Sequence, residues 1–252
     1  MAVGSLMVVV LWVLAGCSGS DTAEVTSLTA SEQLAAAKVT VDAATSLHLT
    51  LRSNGIPESA SGVLGADGSG THAPAFKGTL DARISGFEAK VEVVAVDNVL
   101  YLKLPFTTEF VKADPKEYHA PDPARLFAKE GGISSLLTAT TNPVKGKKLR
   151  VGPDVVQTIT GTLPGTSVSQ LLGVGDATKT FSVTYGITEP GGELRTVTMT
   201  GPFFKGAATT GAASTPAAST PATSTPATST PASSTYLLTL DRYGAPVEIS
   251  KP

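Results

Sequence analysis

The 252-residue chain is poor in the residues from which catalytic and metal sites are built. It has one cysteine and three histidines, which excludes a disulfide framework and a cysteine-based zinc site. Charged residues make up 16% of the chain, and a net charge of −2 gives no electrostatic reason to expect a nucleic-acid partner. GxSxG, P-loop, HExxH and CxxC motifs are all absent from the sequence. We therefore predict no enzyme, with no catalytic residue, metal ion or cofactor.

Uninterrupted apolar sequence is confined to the N-terminus. The run over residues 6–14 is too short to span a hydrocarbon core of about 30 Å, but it suits the apolar part of a secretory signal. It ends in Leu14-Ala15-Gly16-Cys17, which resembles the lipobox of bacterial lipoproteins. We predict a signal peptide over 1–16, a lipid-modified Cys17, and a flexible tether over 17–30. The alternatives are an ordinary signal peptide with a chance cysteine, or a buried strand.

After the tether, the apolar spacing first predicts a helix and then strands. Ser31 is a candidate N-cap, and the apolar residues of 34–44 recur at helical spacing. From Leu47 the pattern has period two, which predicts a half-buried strand with His48 on its solvated polar face. The glycine-rich stretch 65–70 predicts a turn.

Further along, alternating segments predict a strand-rich domain. Asp97-Asn98 separates two apolar runs and predicts a hairpin. Asp122-Pro123 predicts the start of a short helix. Short helices are predicted over 124–128, 133–139 and 164–172, and later strands over 155–162, 181–187, 194–200, 236–240 and 247–249. About nine or ten strands in hairpin order favour antiparallel pairing and the α+β class.

Two segments have an unusual composition. Residues 206–235 carry no charge and repeat the unit STPA from Ser214, so we predict a disordered insertion within a single domain over 31–252. A repeat expansion without function is the alternative. The basic cluster Lys145–Arg150 is interpreted as a solvated strand edge in preference to a lipid-headgroup site.

Together these features resemble the mycobacterial and actinobacterial LppX/LprAFG-type lipoproteins, with LprG and LprF as the nearest branch. The motifs that carry the resemblance, besides the lipobox, are Asp97–Tyr101, Asp122–Ala124, Gly132–Leu137, Thr158–Gly161 and Leu240–Val247. The resemblance implies a curved antiparallel half-barrel, similar to the LolA/LolB carriers, with short helices on its concave face enclosing an apolar cavity. It also implies an exported protein, anchored at the outer face of the plasma membrane in the cell-wall space, that carries diacyl or triacyl lipids or glycolipids.

The candidate cavity-lining residues are apolar positions of the predicted strands and short helices. They are Val91, Val93, Leu100, Leu102, Leu126, Phe127, Leu136, Leu137, Ile159, Phe181 and Val183. Plain core packing is the alternative for each of them. Two other functions stay open. One is an envelope interaction module for a membrane sensor kinase or a transporter such as a major-facilitator exporter, and the other is a wall-spanning stalk built on the STPA repeat.

Overall fold

A computed structural model describes residues 28–84, 86–115, 121–204 and 233–252. The predicted leader 1–16, Cys17, most of the predicted tether and residues 206–232 of the predicted insertion lie outside these ranges. The helical elements are α1 (Ala30–Ala43), a 3₁₀ segment (Pro123–Phe127), α2 (Ile133–Ala139) and α3 (Gly165–Leu172). The strands are β1 (Ser46–Asn54), β2 (Gly62–Thr71), β3 (Ala75–Ile84), β4 (Phe87–Val96), β5 (Val99–Lys103), β6 (Val111–Ala113), β7 (Thr141–Val151), β8 (Asp154–Pro164), β9 (Thr180–Thr188), β10 (Leu194–Gly201) and β11 (Ser234–Asp241).

All these strands form one open antiparallel sheet in the order β6-β5-β4-β3-β2-β1-β11-β10-β9-β8-β7. The sheet therefore begins and ends with strands that follow each other in sequence, β6 and β7. Neighbouring strands are about 4.8 Å apart, so these two edges are separated by about 48 Å along the sheet. The connection between them carries the 3₁₀ segment and α2 across one face, which we call the helix-covered face. The predicted α+β class is confirmed.

Helical cover is distributed unevenly over this face. Helices α1, α2 and α3 lie mainly against strands β7 to β10, whereas the 3₁₀ segment lies against β2, β3 and β4. The apolar side chains of β4 and β5 are nevertheless buried. The β2–β5 half of the sheet therefore has the shorter helical cover, and this half contains most of the candidate site.

The start of α1 differs from the prediction. Thr29, not Ser31, is the N-cap, and it forms a complete capping box with Glu32. The Thr29 hydroxyl accepts from the Glu32 amide at 3.2 Å, and the Glu32 carboxylate accepts from the Thr29 amide at 2.7 Å. The Thr-x-x-Glu spacing satisfies two free amide groups together, which a serine cap at position 31 does not achieve.

His48 was expected to be solvated, and this was wrong. The residue is 8% exposed, with Nδ1 2.7 Å from Asp241 Oδ1 and Nε2 3.3 Å from Asp67 Oδ1. Register explains the burial, because Asp241 on β11 lies directly opposite His48, and β2 passes on the other side. The period-two pattern identified the face correctly, but it carried no information about the neighbouring strands.

Three further boundaries are corrected. The predicted turn over 65–70 is the interior of β2. The predicted strand over 247–249 does not form, and Pro246 just before it has no N–H to donate to a ladder. Strand β11 begins at Ser234, one residue before the predicted end of the insertion at 235, and the buried Ser234 hydroxyl donates to the Gly55 carbonyl at 2.7 Å.

Candidate functional site

Two adjoining clefts with apolar walls lie between the sheet and the 3₁₀ segment, the first also bordered by β1, β11 and the end of α3, and the second by β2–β5. The first has a cavity volume of about 30 Å³, and the second about 50 Å³. They share Val63, Leu80, Pro121 and Pro123, so we treat them as one apolar cleft. The other lining residues of the first part are Leu49, Leu51, Ala66, Phe76, Leu126, Leu172, Val174 and Tyr236, and those of the second are Gly62, Ala82, Arg83, Val91, Leu100, Leu102, Leu104 and Pro115.

The 3₁₀ segment forms the roof of the apolar cleft. Its start is fixed by Asp122, whose carboxylate accepts from the Ala124 amide at 3.0 Å, and by Pro123 at the first helical position. Its end is fixed by His72, whose Nδ1 is 2.6 Å from the Phe127 carbonyl oxygen. The other ring nitrogen of His72 is 2.8 Å from the Val41 carbonyl oxygen on α1. One side chain from the β2–β3 turn therefore ties the roof to the main helix.

The roof rests on a floor of glycines in β2 and β3. Phe127 stacks on Phe76 with ring centroids 5.9 Å apart and lies directly above Gly70. A Cβ atom at position 70 would be 2.4 Å from the Phe127 ring. The glycine-rich sequence that suggested a turn is therefore required by the close approach of the roof.

This contact gives a testable prediction for Gly70→Ala. The methyl group overlaps the Phe127 ring, so we expect the roof to shift and the free energy of unfolding to fall by about 1–3 kcal/mol. Urea unfolding measures it. Gly62→Ala on the same strand is the matched control, because its Cβ would meet only Phe204 at 3.6 Å. Equal stability of the two variants would show that Phe127 does not hold the roof on this floor.

Of the eleven predicted cavity residues, four line the apolar cleft. Val91, Leu100 and Leu102 form a wall of its second part, and Leu126 contributes to the first. The other seven are buried in the packed core and do not line the cleft: Val93, Phe127, Leu136, Leu137, Ile159, Phe181 and Val183. Cys17 lies outside the described residues.

Sequence reasoning missed several residues of the cleft. Leu49 and Leu51 were placed on the apolar face of their strand but were not assigned to a cavity, although both line its first part. Pro121 and Pro123 were assigned to an irregular connection and a helix start, and both line both parts. Their position could not be found from local pattern, since it depends on where the connection crosses the sheet.

The electrostatic environment of the cleft is that of an apolar interior. Tyr236 lies in the wall of the first part, and desolvation by burial raises the pKa of its hydroxyl to about 12. A neutral phenol is therefore the stable form at physiological pH. No group of three or more His, Cys, Asp or Glu side chains within the described ranges is arranged to hold a metal ion.

The mouth of the cleft combines apolar and polar surface. Leu104 lines the second part and is 42% exposed, so the apolar wall continues to the surface. The adjacent turn places Phe106 in the left-handed region, at φ 70°, with its ring fully exposed. On the other side, a hollow of about 300 Å³ shares Pro115 and Pro121 with the cleft. Its polar lining residues are Asp114, Asp122, Arg125 and Gln170.

A family model matches most of the chain, and two crystal structures share its fold. The family model described as LppX_LprAFG lipoprotein matches residues 29–220. The crystal structure of LprF from Mycobacterium bovis superposes with a TM-score of 0.66 at 14% identity, covering 88% of this chain and 96% of that one. Lipoprotein LppX from Mycobacterium tuberculosis gives 0.58 at 18% identity, covering 88% and 98%. No curated protein matches the chain in sequence.

None of the helices in the described ranges combines the length and the hydropathy that a bilayer crossing requires.

Proposed function

Because the chain belongs to the LppX_LprAFG lipoprotein family, we propose that it is a non-enzymatic carrier of diacyl or triacyl lipids or glycolipids across the cell envelope. The observation that carries the proposal is the apolar cleft, which is open to the surface at Leu104 and borders a polar hollow. An apolar cleft beside a polar hollow matches the acyl chains and the headgroup of a lipid. Acyl chains would occupy the cleft, and the headgroup would contact Arg125 and Gln170.

The energetics explain why such a carrier is useful. A lipid with about 30 chain methylenes resists transfer to water by roughly 24 kcal/mol, at about 0.8 kcal/mol for each buried CH₂. Unassisted transfer through an aqueous envelope space is therefore negligible. An apolar slot restores most of that free energy by burial alone, and no chemical step is needed.

The size of the cleft defines what cargo binding must do. Ligand sites typically enclose about 300–1,000 Å³, whereas the two parts of the cleft enclose about 30 and about 50 Å³. Cargo therefore has to displace part of the cover of the cleft, and the 3₁₀ segment, which lies over β2, β3 and β4, is the element that would move. The packed half under α1, α2 and α3 would stay in place and serve as the rigid frame.

In this proposal the protein is attached to the membrane by lipid groups bound covalently to Cys17. Signal cleavage before Cys17, attachment of a diacylglycerol group to its thiol, acylation of the new amino group, for example with palmitate, and a tether up to residue 30 would anchor the domain at the outer face of the plasma membrane. Two or more acyl chains give stable anchoring where a single chain is marginal.

Native mass spectrometry tests the carrier function. The Cys17→Ala chain is expressed in an actinobacterial host, and its mass is recorded before and after organic extraction. We expect a stoichiometric adduct that dissociates as a lipid with two or three acyl chains. A bare mass, together with no uptake of added lipid, would contradict the proposal and favour the interaction module for a sensor kinase or an exporter.

A further inference from the structure

Strand β7 is a free edge of the sheet and concentrates positive charge. Four cations lie within six residues of it: Lys145, Lys147, Lys148 and Arg150. All four residues are exposed, and among the described strands β8 is the only one that pairs with β7. The whole chain has a net charge of −2, so without these four the rest of the molecule has −6. The cations are thus segregated on one edge of an otherwise acidic protein.

The register of β7 places most of this charge on one face. Lys145 lies opposite Ile159, and Lys148 lies opposite Gln157. A bulge between these pairs puts the two lysines on the same face, although they are three positions apart in sequence. Arg150 follows Lys148 at period two, so it shares the same face.

Carboxylates neutralise only part of this cluster. Lys148 Nζ is 2.5 Å from Glu189 Oε2, and Lys145 acts electrostatically on Glu32. Over the described part of the chain, Lys147 and Arg150 form no ion pair. The edge therefore keeps an excess of two positive charges.

Two exposed apolar side chains lie on the other face of the same strand. Val144 and Leu149 are 61% and 53% exposed. Val144 lies opposite Thr160 and Leu149 opposite Val156, so both point away from the face that carries Lys145, Lys148 and Arg150.

The position of the N-terminus brings this edge to the membrane. The Lys145 ammonium donates to the carbonyl oxygen of Leu28, the first described residue, just before α1. Cys17 is 11 residues before Leu28, which corresponds to at most about 40 Å of extended chain. An anchor at Cys17 therefore keeps β7 within reach of the bilayer surface.

We propose that β7 is a docking surface for the anionic phospholipid headgroups of the bilayer in which the chain is anchored. The negative potential of such a bilayer attracts Lys and Arg within a Debye length and repels the acidic remainder of the molecule. The contact would favour one orientation of the domain on the membrane. It would also add a second contribution to membrane binding beside that of the acyl chains. This inference does not depend on lipid cargo in the apolar cleft.

Vesicle binding by the full chain with Cys17→Ala tests the docking surface. Affinities are measured for vesicles of phosphatidylcholine alone and for vesicles with about one third phosphatidylglycerol. The readout is the ratio of the two affinities, because any contribution from the apolar leader is common to all variants. Each cation near an anionic surface contributes roughly a factor of five in affinity. We therefore expect the variant with Lys145, Lys147, Lys148 and Arg150 all changed to Gln to lose at least about 20-fold in this ratio.

The matched control removes four exposed cations elsewhere, with Lys77, Lys90, Lys112 and Lys251 changed to Gln. It has the same net charge as the β7 variant, and its ratio should stay near that of the parent. Equal losses in both variants, or a parent ratio near one, would overturn the proposal. In that case the cations serve only to keep the edge strand from pairing with other chains.

Two measurements keep the test decisive if the β7 variant aggregates. Changing the three lysines of β7 to Arg should preserve the ratio, and raising salt from about 0.05 M to about 0.5 M should abolish the preference of the parent chain for anionic vesicles. A preference that resists salt would overturn the proposal. Lipid uptake measured on the same variants reports on the carrier function separately.

Discussion

Leu100→Trp is expected to abolish lipid uptake while the domain stays folded. Leu100 is buried, at 8% exposed, and its side chain also lines the second part of the apolar cleft, where it borders a volume of about 50 Å³. An indole ring at this position would occupy the space that an acyl chain has to enter. We expect uptake of a fluorescent diacyl lipid to fall at least about 10-fold, with the free energy of unfolding changed by less than about 1.5 kcal/mol.

The same substitution in the packed half provides the matched control. Leu137 on α2 is buried among core residues and does not line the cleft. Leu137→Trp should overpack the core and lower stability by about 1–3 kcal/mol. Lipid uptake by its folded fraction should be retained. The carrier proposal would fail if Leu100→Trp bound lipid normally, and the assignment of Leu100 to a cleft wall would fail if it unfolded the domain as Leu137→Trp does.

Local signals in the sequence predicted the individual elements of the fold well. The helix over 133–139 has the predicted bounds, because Gly131-Gly132 ends the preceding helical segment and the apolar spacing begins at Ile133. The hairpin at Asp97-Asn98 is confirmed, with both residues in the left-handed region, at φ 53° and 58°, that a tight hairpin turn requires. Each of these signals is contained within a few neighbouring residues.

Features that depend on distant residues were not predictable in this way. Glycine is needed at position 70 because of a ring 57 residues later in the chain, Phe127, so the local pattern indicated only a turn. His48 is buried by Asp241, which is 193 residues away. Period two tells which face of a strand is apolar, but not which strands lie beside it.

For the same reason, the sequence could not tell which of the predicted cavity residues line the cleft and which do not. Ile159 and Phe181 are as apolar as Leu100, and all three were predicted to line a cavity. The first two lie on β8 and β9 in the half of the sheet that α1–α3 cover, so they are core. Leu100 is buried in the same core cluster, but it lies on β5 and also borders the cleft. The path of the connection from β6 to β7 decides between cavity and core, and no strand pattern encodes that path.

We expect the domain to unfold at alkaline pH, because three of its tyrosines are buried. Desolvation raises the pKa of Tyr185, Tyr236 and Tyr243 above the usual value near 10, to about 12 for Tyr236. Tyr185 donates to the Leu136 carbonyl at 3.1 Å, and Tyr243 donates to the Leu194 carbonyl at 2.6 Å. The hydroxyls of Tyr185 and Tyr243 are therefore built into the fold as proton donors.

The sign of the pH dependence follows from these shifts. Below pH 10 the tyrosines are neutral in both states, so their full contribution to stability is present. Above pH 10 the unfolded chain loses these protons and the folded chain keeps them, so the free energy of unfolding falls by about 1.4 kcal/mol per pH unit for each tyrosine. Three tyrosines together give about 4 kcal/mol per unit, and a domain of ordinary stability should unfold between about pH 11 and pH 12.

Urea unfolding at half-unit steps from pH 8 to pH 12 measures this slope. Tyr236→Phe removes one titrating group and keeps the ring in the cleft wall, so its slope above pH 10 should be about one third smaller, with little change at pH 8. Identical slopes for the variant and the parent would show that the Tyr236 hydroxyl is hydrated in the folded chain. The wall of the first part of the cleft would then be wet, and an acyl chain would gain less there from burial than the carrier function needs.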